Sequence, residues 1–303
     1  MTPISFLSRA CPVCASTSAR AEASSDQRAE DLSLDQLRPY WSGLFKKKVF
    51  FSYDRCAACG VLFAPTYFSD EQLEQLYADM APNMEVVPTA SLEATQRGYW
   101  DVTAGTAPLD GGYLEIGPDV GYIVRLAVAE ARFDHYWLFE PNGAVHGALA
   151  QAAGNAPHDI SLEMNDLSIV PDRSVGLAVM VHVLDHLLDP RAMLERIRVK
   201  LKPGGVLMIV THNEASLLRK LMASRWPPFC LQHPELYSPA SIKTLVRRAA
   251  YQKVEVQRSV NYFPIDFMVR QAAYTVGIDL GKIPLPKAAL GLKLGNMITL
   301  AHV

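Results

Sequence analysis

The sequence predicts an α/β fold: a doubly wound, mostly parallel sheet carried behind a small cysteine-bearing N-terminal module. Three observations predict it. From Gly111 onward, short apolar strands alternate with helical segments. One of those strands, Val175 to Met180, is almost continuously apolar, as a parallel strand covered on both faces must be. Four of the five cysteines form two Cys-x-x-Cys pairs, Cys11/Cys14 and Cys56/Cys59, in a segment short of aliphatic residues.

The cysteine segment comes first. Two such pairs supply four thiolates for a tetrahedral ion, and in a cytosolic chain they point to metal rather than disulfides. Pro12 stiffens the first pair, and Gly60 provides the tight reversal after the second. The pairs stand 41 residues apart, a gap whose closure cost grows only logarithmically. Four thiolates leave no open position for water, so the expected zinc is structural. The alternative is four unrelated buried cysteines. Cys230, alone beside Phe229, reads as a small buried hydrophobe. The predicted organisation is a zinc-binding module over 1–64, a helical linker over 65–107 and a sheet domain over 108–303. Inserts are expected at 214–238 and 261–296.

In the linker, Ser69-Asp70-Glu71-Gln72 is a capping-box pattern, followed by Leu73, Leu76 and Tyr77 at helical spacing. A second helix is expected over Ser91 to Thr103. The sheet domain then reads as a strand at Tyr113–Ile116, a helix at Tyr122–Ala131, a strand at His135–Glu140 and a helix at Ala144–Ala153. After the strand at Val175–Met180, Pro190 opens a helix through Leu201, and Gly204–Val210 returns to strand. Ser241–Ala250 is helical. Lys253–Val260 and Met297–His302 are the last strands.

Glu115-Ile116-Gly117-Pro118-Asp119-Val120-Gly121 lies where the first strand must turn into the first helix. Gly117 permits the tight turn, Gly121 a close backbone approach, and the helix start offers free amides. About 20 residues on, the second strand ends in Glu140-Pro141-Asn142, where a carboxylate can take both hydroxyls of a ribose. The spacing needed to approach a pyrophosphate is missing, and Asp119 places negative charge beside the loop. A cationic, phosphate-free nucleoside suits it better than a dinucleotide. The alternative is a structural turn with a surface glutamate.

These elements, in this order, resemble the class I S-adenosylmethionine-dependent methyltransferases over Gly111 to Val303. Leu201-Lys202-Pro203-Gly204-Gly205 resembles the turn before the family's fifth strand, and Val181-His182-Val183-Leu184-Asp185-His186-Leu187 the segment after its fourth. The resemblance implies S-adenosylmethionine as cofactor. It makes Glu115, Gly117, Pro118, Gly121, Glu140, Pro141, Glu163, Met164 and His182 the cofactor-binding candidates. Glu163 would face the adenine amine, with Asp166 as an outside candidate. Asp119 replaces the usual middle glycine. Arg55 to Phe63 also resembles the zinc-binding leader of methyltransferases that act on sugars or natural products, although their long third domain has no counterpart here.

The acceptor is expected outside the carboxyl ends of the strands, near Gly117, Glu140, His182 and Thr211-His212-Asn213. Arg225-Trp226-Pro227-Pro228-Phe229 and the insert at 261–296 are expected to form a lid, a dimer surface or, for Trp226 and Phe229, closure of the core. A histidine near neutrality is the natural base for an alcohol or amine. The catalytic candidates are His233 and His182, with Tyr237 behind His233, followed by His212; the alternative that the resemblance allows is that His233 and Tyr237 are scaffold near the sheet edge. His182 and His186 stand one helical turn apart with Asp185 between them, like a metal pair, but no third ligand is near in sequence. His186 reads instead as packing or capping within a helix.

Lys and Arg total 29 against 31 Asp and Glu, for a net charge of −2. That balance gives no reason to expect nucleic acid or an acidic membrane surface as partner, and runs such as Lys46-Lys47-Lys48 are too short to reverse it. No apolar run reaches the roughly 18 residues of a spanning helix. The expected setting is the cytoplasm, with a small-molecule acceptor and room for a homodimer. Two other functions share these features: a nicotinamide-dependent oxidoreductase, and a non-enzymatic scaffold that keeps the fold.

Overall fold

The computed structural model describes residues 6–41, 48–78, 87–275, 278–281, 283–286 and 288–303. Lys46 and Lys47 of the basic run lie outside the described residues. Seven strands build the main sheet: β1 (Asp110–Ile116), β2 (Arg132–Phe139), β3 (His158–Ser161), β4 (Val175–Val181), β5 (Leu201–His212), β6 (Lys253–Arg258) and β7 (Asn296–His302). Their order across the sheet is β3-β2-β1-β4-β5-β7-β6. The first five run parallel, and β7 is antiparallel to both β5 and β6. The strand order reverses between β1 and β4, which opens a crevice at their carboxyl ends.

Alternation along each strand divides the core into two layers. Leu114, Ile116, Leu207 and Ile209 face one side with Ala178 and Met180. Tyr113, Val206, Met208 and Val210 face the other with Leu177 and Val179. Helices cover both faces, so the central strands are buried throughout, as their near-continuous apolar sequence requires. With α1 (Asp70–Ala78) packed on the N-terminal segment, one face carries α2 (Thr89–Ala104), α3 (Tyr122–Glu130) and α4 (His146–Ala153) and the other α5 (Pro190–Lys200) and, after α6 (Leu217–Met222) in the insert, α7 (Pro239–Arg248); α8 (Ile265–Thr275) follows in the second insert. The expected capping box forms at Ser69: its hydroxyl accepts from the Gln72 amide, and the Gln72 side chain accepts from the Ser69 amide. α5 starts at Pro190, with the Asp189 carboxylate accepting from the Ala192 amide.

The N-terminal residues do not pack as an isolated unit. Ala19–Ala23, Tyr53–Cys56 and Leu62–Phe63 form an antiparallel sheet whose fourth strand, Glu235–Leu236, comes from the insert after β5. The aromatic residues of the insert sit inside this junction. Trp226 and Phe229 are buried with Phe50, Tyr53, Leu62 and Leu236, and Phe229 stacks on Phe50 with ring centroids 5.2 Å apart. Of the roles expected for this stretch, the structure shows core closure. The second insert makes a two-stranded sheet, Asn261–Pro264 with Ala289–Leu292, and leans on α2, where the Asn261 amide donates to the Tyr99 hydroxyl at 2.8 Å.

Candidate functional site

At the ends of β1 and β2 the site is made largely of backbone. Gly117 (φ +69) starts the turn, and a Cβ there would lie 2.5 Å from Val183 Cγ2. The loop after β1 therefore rests directly on the loop after β4. Gly121 (φ +78) is required by packing: a Cβ would lie 2.6 Å from Ala152 Cβ, so α3 could not close on α4. Pro118 is buried between them. Asp119 adopts the left-handed conformation (φ 51) that glycine would take, which aspartate tolerates better than most residues. Its amide donates to Glu140 Oε2 at 2.9 Å, and the Asn142 amide donates to Glu140 Oε1 at 2.8 Å.

Glu140 is 6% exposed, and His146 Nε2 donates to its backbone carbonyl. Burial pushes its carboxyl up, against the pull of the two amides. Each carboxylate oxygen keeps a lone pair for a further donor, so the group fits a diol. Glu115 lies on β1, one residue before its end. It is buried, accepts from the Tyr113 hydroxyl at 2.5 Å, and burial pushes its carboxyl up to about 8. Pro141 is exposed beside Glu140. Glu163 is exposed, its amide donating to Ser161 Oγ, while Met164 is half-buried against the core. The Asp166 carboxylate accepts from the Ser168 amide.

At the ends of β4 and β5 the site is made of side chains. His182 closes β4 in the left-handed conformation (φ 53), with its amide donating to Val210 O. His182 and His186 do not share a helix, because only Leu184–His186 form a helical turn. The partner missing from the sequence reading comes instead from the next strand. His212 Nδ1 lies 2.7 Å from Asp185 Oδ2, and Asp185 is fully buried. Ring centroids are 4.7 Å apart for His182 and His212, 4.9 Å for His212 and His233, and 4.6 Å for His186 and His233. One ligand atom each from His182, Asp185 and His212 lies within 4.8 Å of the others.

Burial and the neighbouring rings keep the cluster mostly neutral. His182 is pushed down to about 3 by burial and by His212, and His186 to about 3 by burial and by His233. Burial lowers His212 as well, against the pull of Asp185. Burial alone would raise Asp185, but the His212 hydrogen bond outweighs it and holds the carboxyl well below the usual range. His233 goes the other way: burial lowers it, but Cys230, with Sγ 3.3 Å from Nδ1, lifts it to about 9. Cys230 is buried as expected and also takes part in this pair.

The N-terminal segment holds this half of the site. His233 Nδ1 donates to Pro228 O at 2.7 Å, and the Tyr53 hydroxyl donates to His233 O at 2.5 Å. The Tyr67 hydroxyl donates to Leu231 O. Arg9 donates to Leu188 O and pairs with buried Glu235 at 2.9 Å; Glu235 also accepts from the Tyr237 hydroxyl at 3.3 Å. Tyr237 is fully buried, with its hydroxyl on Glu235, and its backbone bridges to Asn213. The four cysteines converge, with Cys11 and Cys59 Sγ 3.5 Å apart, Cys14 and Cys56 Sγ 3.5 Å apart, and all four within 4.8 Å.

Residues 94–256 match the family model described as a methyltransferase domain. No curated protein matches the chain. Solved structures resemble it at low identity. One is an S-adenosylmethionine-dependent methyltransferase from Thermotoga maritima, at 15% identity over 70% of this chain and 90% of that one, TM-score 0.47. Another, from Archaeoglobus fulgidus, has 15% identity over 70% and 93%, TM-score 0.47. A third, from Leishmania major, has 12% identity over 79% and 93%, TM-score 0.48. No described helix is long and apolar enough to cross a membrane.

Proposed function

Since the chain belongs to the methyltransferase-domain family and is an S-adenosylmethionine-dependent methyltransferase, we propose that it methylates a small, hydroxyl- or amine-bearing acceptor, a sugar or natural-product intermediate, held against the imidazole cluster. The observation that carries this reading is the cluster itself: His182, His212 and His233 meet at the ends of β4 and β5, and Val183, next to His182, lies against Gly117 of the glycine loop. When bound, S-adenosylmethionine supplies an electrophilic methyl group on a sulfonium. Glu140 would hold its ribose, the backbone from Gly117 to Gly121 its methionine end, and Pro141, Glu163 and Met164 its adenine. Asp119 and Glu140 suit a cation.

His233 and His182 face the acceptor in this reading, with Tyr237 fixing the segment behind His233. Removal of the acceptor proton falls to the neutral form of His233, which Cys230 lifts to about 9, so turnover should rise with pH toward that value; the buried wall of Trp226 and Phe229 keeps water away. The test is His233→Ala, assayed by methyl transfer from labelled S-adenosylmethionine into a small-molecule cell extract. Turnover should fall about a hundredfold, while S-adenosylhomocysteine affinity and melting temperature hold. Full turnover with a lowered melting temperature would make His233 a structural residue.

The four cysteines bind one structural zinc. A tetrahedral zinc with bonds of about 2.3 Å sets sulfur atoms about 3.8 Å apart, close to the 3.5 Å contacts. The ion ties Cys11 and Cys14 to the strand that carries Tyr53 and Arg55. Arg55 in turn pairs with Glu22 and Glu214, the latter just past β5.

A further inference from the structure

We propose that His182, Asp185 and His212 form a second metal site, which takes a divalent first-row transition ion at the acceptor end of β4 and β5. The inference adds to the acceptor reading, but metal binding can be measured with neither cofactor nor acceptor, so either can fail alone.

The Asp185 carboxylate is fully buried, and a buried charge needs compensation. Among the described residues no Lys or Arg side chain bonds it; the groups around it are imidazoles. His233 bonds Cys230 and Pro228 O rather than Asp185, so two solutions remain for the carboxylate: a proton shared with His212, or a cation in the place of that proton. The proton serves Asp185 Oδ2 and His212 Nδ1, which are 2.7 Å apart. It leaves two buried atoms without a partner, Asp185 Oδ1 and His182 Nδ1. A cation coordinated by the carboxylate, His212 Nδ1 and His182 Nδ1 serves all four atoms and supplies the charge.

The chemistry of the set agrees. Two imidazoles and one carboxylate are a standard donor set for zinc and non-haem iron, and three protein ligands leave positions open for oxygen ligands. Bonds of about 2.0–2.2 Å set neighbouring ligand atoms about 3–3.5 Å apart. The ligand atoms of this set lie within 4.8 Å of one another, so closing them on one ion takes at most about 1–2 Å of side-chain movement. The His182 Nε2 accepts from the Asn296 side-chain amide at 3.2 Å, which fixes the ring and puts its proton on the orphaned Nδ1; a cation binding there displaces that proton, as metal binding to histidine does. The left-handed backbone of His182 is the kind of strain that collects at functional sites.

The experiment is a cobalt(II) titration of the full chain after chelation. The cysteine site reports through thiolate-to-cobalt charge-transfer absorption. The proposed site has no sulfur ligand and reports through ligand-field bands alone. Two equivalents should bind, the second without charge-transfer intensity. His212→Gln and His182→Gln, tested separately, should each weaken that second equivalent by at least about tenfold, leaving the thiolate bands intact as proof of folding. One equivalent in the unaltered chain overturns the proposal and leaves Asp185 and His212 as a proton-sharing pair. A second equivalent that persists at full affinity in both variants also overturns it.

Discussion

The two halves of the site are built from different material. Around β1 and β2 the working groups belong to two short contiguous stretches, and most are backbone: two glycines, a left-handed aspartate and two amides aimed at Glu140. Around β4 and β5 they are side chains from distant stretches, and the segment carrying His233 is held by Arg9, Tyr53 and Tyr67. A half made of local backbone tolerates damage elsewhere. A half assembled from distant segments depends on whatever holds those segments, and here that is the cysteine module.

The largest expected effect breaks the second half and spares the first. Cys56→Ser removes a thiolate from the strand that pairs with Ala19–Ala23 and Leu62–Phe63. Loss of the ion should cost several kcal/mol of folding free energy, as metal-linked folding does. Calorimetry should show an early unfolding transition, and turnover should disappear. Affinity for S-adenosylhomocysteine should fall less than about threefold, since β1 and β2 make no bond to the cysteines. Unchanged zinc content and stability would show that the cysteines do not hold a metal.

Glu140→Ala attacks the other half. It removes a charged acceptor whose hydrogen bonds are worth roughly 1.5–3 kcal/mol each. Titration calorimetry should show S-adenosylhomocysteine binding weakened by at least about tenfold, with the cysteine module still loaded. Unchanged affinity in a folded variant would count against this placement of the ribose.

The same contrast explains what the sequence reveals. The cysteine pairs, the glycine loop and Glu140 are readable because each is a short pattern with a local physical meaning. The imidazole cluster is not. Asp185 and His212 are 27 residues apart and meet only because β4 and β5 are neighbours. The spacing of His182 and His186 suggests a helix, but a positive φ at His182 leaves no trace in the sequence. Pairing of Leu62–Phe63 with Glu235–Leu236 links segments too far apart for any periodicity to report. Gly121 is readable as a necessary glycine, but its reason, contact with Ala152, appears only in three dimensions.

Glu115 is the more deeply buried of the two acids at these strand ends. Its pKa is raised from 4.5 to about 8, first by burial. A group raised in the folded state stabilises fully below its unfolded value, and that contribution is lost as pH climbs to the folded value. Stability should therefore fall between about pH 4.5 and 8, by at most about 1.4 kcal/mol per pH unit. Glu115→Gln keeps an acceptor for Tyr113 and cannot ionise, so its denaturation midpoints should be flatter over that window. Parallel curves for the two proteins would mean that Glu115 is ionised in the fold.

The smallest expected effect concerns Asp119, which stands where glycine is usual in the loop. Asp119→Gly relieves a left-handed residue, worth about 1 kcal/mol, and adds unfolded-state freedom of about 0.5–1 kcal/mol. The two nearly cancel, so the melting temperature should barely move. The backbone bond from residue 119 to Glu140 needs no side chain, so affinity for neutral-sulfur S-adenosylhomocysteine should hold within about threefold. The carboxylate itself matters only to charge. At a partly exposed site its attraction for a sulfonium is a fraction of a kcal/mol, about twofold in affinity. S-adenosylmethionine should therefore weaken slightly more than S-adenosylhomocysteine, and paired calorimetry on both ligands reads that ratio directly. If both weaken tenfold together, Asp119 shapes the loop rather than its charge, and the backbone half of the site depends on a side chain after all.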